Sequence, residues 1–348
     1  MMVNPNLPVL IPHEFIPLQD IGFIEDLTLL LENKKSGHLA HYHYSEPLYH
    51  GDPVNGAALW NRVITHSPAY YQFEAENIVL PNVAEFISAL LSTDESSVID
   101  LGPGSGESLH RKTYPFLAEI QNIENYIPVD ICGDYLNQIR NNIETNFANV
   151  NVSAQQKNYF ESSINFNVNT TPVFLFLSSS VSNLPEISPR ACYAINLAKI
   201  LAHLYEAMQR QGYLVISQDT TQDENELVQA YSDKHHVEFS LNLLEKIKRD
   251  TQNYSNPMFA PAKWAYKPVW CSANQCIKHT VYNKAPQAII LKGKTYHLPV
   301  CTELVLDNSH KYKVEDFLTI AQQVGFRPVK TFMDHSDKVA VHVLERPE

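Results

Sequence analysis

The run Val98-Ile99-Asp100-Leu101-Gly102-Pro103-Gly104-Ser105-Gly106-Glu107 constrains this chain more than any other stretch. Apolar residues close on an acid, glycines follow at alternate positions, and Glu107 to Lys112 has helical character. The segment therefore reads as a strand, a tight loop and a helix N-terminus. Gly102, Gly104 and Gly106 let the backbone approach a ligand and take positive φ where a turn requires it, and the first helical amides favour an anionic group.

The spacing is G-x-G-x-G, one residue short of the dinucleotide fingerprint G-x-G-x-x-G. A nicotinamide cofactor is disfavoured on that ground. Asp100 before the first glycine repels a phosphate and suits the ammonium of an amino acid. A second acid, Asp130, closes the next strand, Tyr126 to Asp130, where a carboxylate accepts hydrogen bonds from ribose hydroxyls. A ligand that joins a nucleoside to an amino acid without phosphate is S-adenosylmethionine, and it is the cofactor expected here.

Composition narrows the partners. With 348 residues, 44% of them hydrophobic and 18% charged, the chain is long enough for a large core and reads as a soluble globule. The formal net charge of −12 lacks the basic stripe that nucleic-acid binding requires, so a small-molecule partner is expected and nucleic acid is not. No run of about 18 apolar residues predicts a membrane span. The N-terminal Met1-Met2-Val3-Asn4-Pro5-Asn6 has no secretory pattern, and Cys132, Cys192, Cys271, Cys276 and Cys301 are scattered without a C-x-x-C pair. A cytoplasmic protein with reduced thiols is the expectation.

Along the chain, Phe23 to Leu31 and Val83 to Leu91 have helical spacing. Between them His38 to His50 is dense in His and Tyr. It lacks the helical His pair with an acid or thiol partner that a metal needs, so a packed or lid-forming loop is expected and no metal. Five strand candidates follow, Val98 to Leu101, Tyr126 to Asp130, Val152 to Gln155, Val173 to Leu177 and Tyr213 to Gln218, with helix-like sequence between them. Such alternation predicts a mainly parallel sheet covered on both faces. Ligands of open α/β sheets bind beyond the strands' carboxyl ends, which places the loop from Ser178 to Asn183 near a site. A helical stretch from 224 to 250 precedes aromatic, alternating sequence from Met258 to Val305 that predicts antiparallel strands. A helix over 314–324 ends at Gly325, and two apolar segments, 329–332 and 339–344, close the chain.

These pieces resemble the histidine-specific S-adenosylmethionine-dependent methyltransferase family, which includes the histidine Nα-methyltransferase of ergothioneine biosynthesis. The resemblance runs from about Tyr49 to Leu344 and rests on five ordered motifs: Asp100-Leu101-Gly102-Pro103-Gly104; Tyr70-Tyr71 through Glu76; the strand and loop from Phe176 to Asn183; Ala230-Tyr231-Ser232-Asp233; and Asp307-Asn308-Ser309-His310-Lys311-Tyr312. It implies an α/β fold with a Rossmann-like class I methyltransferase sheet (80–220 plus 310–348) and a second, smaller substrate-binding domain (1–79 plus 221–309).

It also implies that Tyr70, Asn183 and Tyr231 bind an amino acid's carboxylate and amine, with Tyr70 or Tyr231 orienting the nitrogen, and that Asp307 and Ser309 hold its ring. Tyr49 matches a further family tyrosine. Asn158-Tyr159-Phe160 stands where the family has the Asp-Phe that borders adenine. Four positions depart from the pattern: Asp307 is a methylene shorter than the family's Glu, Ser178 and Ser182 replace loop glycines, which narrows the pocket, and Asn158 replaces the Asp beside adenine. The reading is an N-methyltransferase on the α-amine of histidine or a related small amino acid derivative. The alternatives are a methyltransferase on another small amine or a peptide group, and a non-catalytic cofactor-binding module.

Overall fold

The computed structural model describes residues 22–44, 55–159, 166–183, 193–251 and 259–348. Its centre is an eight-stranded sheet built from β1 (Ser96–Leu101), β2 (Ile123–Asp130), β3 (Asn151–Val152), β4 (Gln155–Gln156), β5 (Thr171–Phe176), β6 (Gly212–Asp219), β12 (Arg327–Met333) and β13 (Val339–Arg346). The order is β12-β13-β6-β5-β1-β2-β3, with β4 also on β2. Strands β1, β2, β3, β4, β5 and β6 pair in parallel, and β13 is inserted antiparallel between β6 and β12. The order reverses at β1, and that switch point opens the crevice beyond the strand ends.

Alternation along the strands explains both faces. Ile99, Leu101, Ile127, Val129, Phe174, Phe176, Leu214 and Ile216 pack under α8 (Tyr193–Met208) and α11 (Val314–Val324). Their neighbours Val98, Tyr126, Val173, Leu175 and Val215 point the other way, under α4 (Gln72–Leu91), α6 (Tyr114–Glu119) and α7 (Gly133–Asn146). Each fully buried side chain of this size contributes roughly 1.5–3 kcal/mol. Gly325 ends α11 at φ 117°, a left-handed stop.

A second layer stands over the carboxyl ends of the strands. It holds α1 (Phe23–Leu31), α2 (His41–Tyr44), α3 (Gly56–His66), α9 (Glu224–Tyr231), α10 (Lys234–Asp250), the sheet of β7 (Trp264–Cys271), β8 (Cys276–Asn283) and β11 (Glu303–His310), and the hairpin β9 (Gln287–Leu291) with β10 (Lys294–Leu298). Leu27, Leu243, Leu244, Ile247, Val281, Ile289 and Leu304 form its core.

Two local expectations are corrected. The third strand, expected over 152–155, is two short pairings separated by Ser153 and Ala154. Helix after the glycine loop is only one α turn, α5 (Gly106–Ser108), followed by a π-helical turn over Leu109–Thr113 and then α6. Pro115 withholds the N–H that would bond to the carbonyl of Arg111, and the amide of Tyr114 reaches back five residues to Leu109. That wider turn decides where Lys112 and Thr113 point.

Candidate active site

Two adjoining chambers lie where the second layer meets the switch point. The larger has an empty volume of about 1170 Å³, solvent at its mouth included, and is walled by the glycine loop, Asp130, Asn158, Tyr159 and Ser178. The smaller, about 470 Å³ by the same measure, is walled by Tyr70, Tyr231, Ser309 and three histidines, His43, His236 and His279. Tyr44, Trp60, Asn183 and Asp307 line both, so they form the boundary the chambers share.

In the larger chamber Gly102 and Gly104 hold φ of 73° and 75°. A side chain at either is strained, and at Gly102 a Cβ also comes within 3.5 Å of the Tyr159 ring. Gly106 differs: its φ is not positive, a Cβ there meets nothing within 4 Å, and it does not line the chamber. Asp130 lies at the mouth of its strand, where it accepts the amide of Cys132 at 2.8 Å, and burial pushes its carboxyl up to about 6.

Asp100 does not line either chamber. It is buried beneath the loop, accepting from Thr113 Oγ1 at 2.5 Å and Tyr126 OH at 3.0 Å, and burial raises its pKa. The π turn that carries Thr113 to Asp100 carries Lys112 into the chamber, where its ammonium donates to the Ser178 hydroxyl. The expected ammonium-binding acid is thus occupied, and a cation that the sequence reading left without a role faces the ligand space. Ser178 adopts φ 62° and Ser179 φ 50°, so a glycine-like backbone survives at non-glycine positions. The Ser178 amide donates to Glu76 Oε1 at 2.6 Å. Ser182 turns into the core and lines neither chamber.

One hydrogen-bonded chain joins the tyrosines and polar residues of the smaller chamber. Tyr70 donates to Gln72 Oε1 at 2.8 Å, and Gln72 Nε2 donates to Tyr231 OH at 2.8 Å. Lys311 Nζ donates to the same hydroxyl at 2.7 Å. With two donors already on its oxygen, Tyr231 passes its own proton to Ser309 Oγ at 3.1 Å, because the Ser309 hydroxyl is donated to Asn183 Oδ1 at 3.0 Å. The Asn183 amide oxygen is thereby used, and among the described residues no group accepts from its side-chain N–H donors.

Asp307, on the same boundary, has the opposite character. The amides of His38 at 3.2 Å and Asn308 at 3.0 Å both donate to Oδ1. Among the described residues no group claims Oδ2. Burial pushes this carboxyl up to about 7, with backbone donors and Lys35 opposing it.

Burial also holds the wall histidines neutral, His43 and His279 at about 3 and His236 well below its ordinary value. Tyr70 is pushed well above the ordinary phenol value by burial. It keeps its proton and acts as a donor. Tyr49 lies outside the described residues, as does Phe160. Of the other expected residues, Asn158, Tyr159, Gly102, Gly104, Asp130 and Ser178 meet in the larger chamber, Tyr70, Tyr231 and Ser309 in the smaller, and Asn183 and Asp307 between them. Gln72, Asp219 and Lys112 were missed. Gln72 and Lys311 stood in motifs, with no role attached.

The sheet order, the glycine loop at its switch point and the acid closing the next strand define a class I S-adenosylmethionine-dependent methyltransferase. The chain belongs to the histidine-specific methyltransferase family, SAM-dependent, whose model matches residues 31–346. No curated protein matches the chain. Among solved structures, DesVI from Streptomyces venezuelae is similar at 13% identity and TM-score 0.39, covering 84% of this chain and 98% of that one. The magnesium protoporphyrin IX methyltransferase from Synechocystis PCC 6803, with bound SAH, is similar at 12% identity and TM-score 0.38, covering 84% and 94%. The 1,6-didemethyltoxoflavin-N1-methyltransferase from Burkholderia thailandensis, with S-adenosylhomocysteine, shows 11% identity, TM-score 0.39 and coverage of 87% and 93%. At such scores these likenesses add nothing to the assignment that the sheet and the family model make. Among the described residues no helix is long and apolar enough to cross a membrane.

Proposed function

We propose that the protein methylates the α-amine of histidine or a related small amino acid derivative. The observation that carries this reading is the boundary of the two chambers, which Asn183 and Asp307 both line, Asn183 with its amide oxygen engaged by Ser309 and Asp307 with two backbone amides on Oδ1. Amide donors suit a carboxylate, and the Asp307 carboxyl suits the N–H of a small ring.

The larger chamber fits the family's cofactor. The glycine cradle at Gly102 and Gly104 admits close backbone approach, Asp130 offers a carboxylate to a ribose, and Asn158 with Tyr159 offers an amide and a ring to a base. Lys112 offers a cation to the amino acid carboxylate. When bound, S-adenosylmethionine supplies a methyl group activated by a sulfonium. The chain's own part is to hold the acceptor nitrogen toward the larger chamber and exclude water, which is where positioning lowers a barrier of this kind.

In this reading Tyr231 and Ser309, locked by Lys311 and Asn183, fix the acceptor, and Tyr70 orients it through its hydroxyl. The neutral histidines and the Trp60 and Phe239 rings make the rest of the wall, suited to a small ring. The division into 80–220 plus 310–348 for cofactor and 1–79 plus 221–309 for acceptor belongs to the same proposal.

Calorimetry tests it. The purified protein is titrated with S-adenosylhomocysteine, and histidine is titrated into that complex. Binding of both, followed by mass spectrometry that finds methyl groups on the α-nitrogen, supports the proposal. Cofactor binding without histidine binding assigns the smaller chamber to another small amine or a peptide group.

A further inference from the structure

The sheet of β7, β8 and β11 has two faces. Ser309 and His279 on one of them line the smaller chamber. Cys276 lies an odd number of residues from His279, so it faces the other side, and Cys271 stands opposite it in the pair that closes the β7–β8 hairpin. We propose that Cys271 and Cys276 form an oxidisable dithiol site, which a peroxide converts to a disulfide that braces Lys311.

Register carries the assignment. Residues directly opposite in an antiparallel pair have Cα atoms roughly 4.5–5.5 Å apart, inside the roughly 4.4–6.8 Å that a disulfide spans. Opposite residues also project to the same face. Both sulfurs are free thiols, Cys271 half-buried and Cys276 buried. The half-buried thiol admits a small oxidant, and the buried one beside it has the place of a resolving cysteine. Among the described residues no group of His, Cys, Asp and Glu could hold a metal, which sets the pair apart from a metal site.

The loop that joins the two cysteines is anchored to the end of β11. The carbonyl of Asn274 accepts from His310 Nδ1 at 3.2 Å, and that of Gln275 accepts the Lys311 amide at 2.6 Å. Lys311 in turn donates to Tyr231 OH at 2.7 Å. A bridge between Cys271 and Cys276 closes the loop from which Lys311 hangs, so the thiol state reaches the wall of the smaller chamber through the backbone.

The oxidation runs in two steps. The Cys271 sulfur attacks hydrogen peroxide, an S–O bond forms as the O–O bond breaks, and the released hydroxide leaves as water with the Cys271 proton. The Cys276 sulfur then attacks the sulfenic sulfur of Cys271. An S–S bond forms, the S–O bond breaks, and the second hydroxide leaves as water with the Cys276 proton. Two thiols and one peroxide become one disulfide and two waters, the sulfurs oxidised and the peroxide oxygens reduced.

The test uses the full chain, reduced, exposed to hydrogen peroxide, and then blocked with iodoacetamide in denaturant. Both thiols lie on one tryptic peptide that ends at Lys278. The expected peptide is unblocked and lighter than the reduced one by two hydrogens, and dithiothreitol restores both blocking sites. Cys276→Ser should leave Cys271 carrying oxygen, and Cys271→Ser should leave Cys276 intact. A wild-type peptide blocked at both thiols, or carrying oxygen at Cys271 with Cys276 blocked, overturns the site. Amide hydrogen exchange at Lys311 should slow about tenfold in the bridged protein and recover on reduction, and an unchanged rate overturns the bracing. Neither measurement uses a methyl acceptor, so failure of the histidine reading leaves both standing.

Discussion

The ammonium of Lys311 lies 2.9 Å from the carboxylate of Asp219, and both side chains are wholly shielded from solvent. Lys311 lies in the last motif and Asp219 ends β6 of the central sheet, so the pair ties the wall of the smaller chamber to the sheet. Burial alone depresses the lysine, and Asp219 with Tyr231 outweighs it to raise the net value. Tyr71 OH at 2.8 Å and the amide of Thr221 at 2.9 Å also bond to Asp219.

Removing one partner of such a pair strands a buried charge. Lys311→Met should therefore destabilise the protein by about 3–5 kcal/mol. The double variant Lys311→Met with Asp219→Asn should recover much of that loss. Thermal melts of the wild type and the three variants decide it, and additive losses in the double variant contradict a paired role.

The glycine loop gives a series with internal contrast. Gly104→Ala forces a Cβ into left-handed backbone at φ 75°, at a cost of about 1–2 kcal/mol, and should weaken S-adenosylhomocysteine binding about tenfold. Gly106→Ala fills open space at the start of α5 and should leave affinity within about twofold. Calorimetry of both variants checks the contrast. Equal weakening shows that helix geometry, rather than φ, is what the loop supplies.

Much of this site was legible in the sequence because strand alternation and glycine spacing are local signals. Asp130, Gly102 and Gly104 followed from a strand end and a turn, and Tyr70, Asn183, Tyr231 and Ser309 from ordered motifs. What stayed hidden depended on distant partners or on backbone irregularity. Asp100 looked free, yet Thr113 reaches it only because Pro115 opens a π turn. The same turn aims Lys112, which helical periodicity over Glu107 to Lys112 does not foretell. Lys311 was visible as a residue type, but its partner lies 92 positions earlier, in another layer. The two short pairings in place of a third strand reflect a segment with few apolar residues to hold a longer edge.

Tyr231 accepts from Lys311 and Gln72 and donates onward to Ser309, so its hydroxyl organises the acceptor wall without touching the glycine loop. Tyr231→Phe keeps the ring and removes the relay. Turnover should fall roughly ten- to hundredfold, the equivalent of about 1–3 kcal/mol for an unmade buried hydrogen bond, while S-adenosylhomocysteine affinity is unchanged. Steady-state kinetics beside cofactor calorimetry separate the two quantities, and equal losses in both contradict the role.

Asp307 should show what burying an ionisable carboxyl costs in stability. Its folded pKa of about 7 lies above the ordinary carboxyl value of 3.8, so the folded state binds the proton more tightly than the unfolded chain does. The favourable contribution is complete below the unfolded value and is lost as pH rises through 7, where the carboxylate ionises at the chamber boundary. Above that pH the ionised group destabilises the fold by on the order of 1–3 kcal/mol, discounting for partial solvent contact through the chambers. Asp307→Asn removes the ionisable group and retains its shape, so at pH 8 its melting temperature should exceed that of the wild type. At pH 5, between the unfolded and folded values, the advantage should shrink, and below the unfolded value it should vanish. Paired thermal melts at the two pH values measure this, and a variant that is less stable at both shows that the bonds from His38 and Asn308 outweigh the cost of burial.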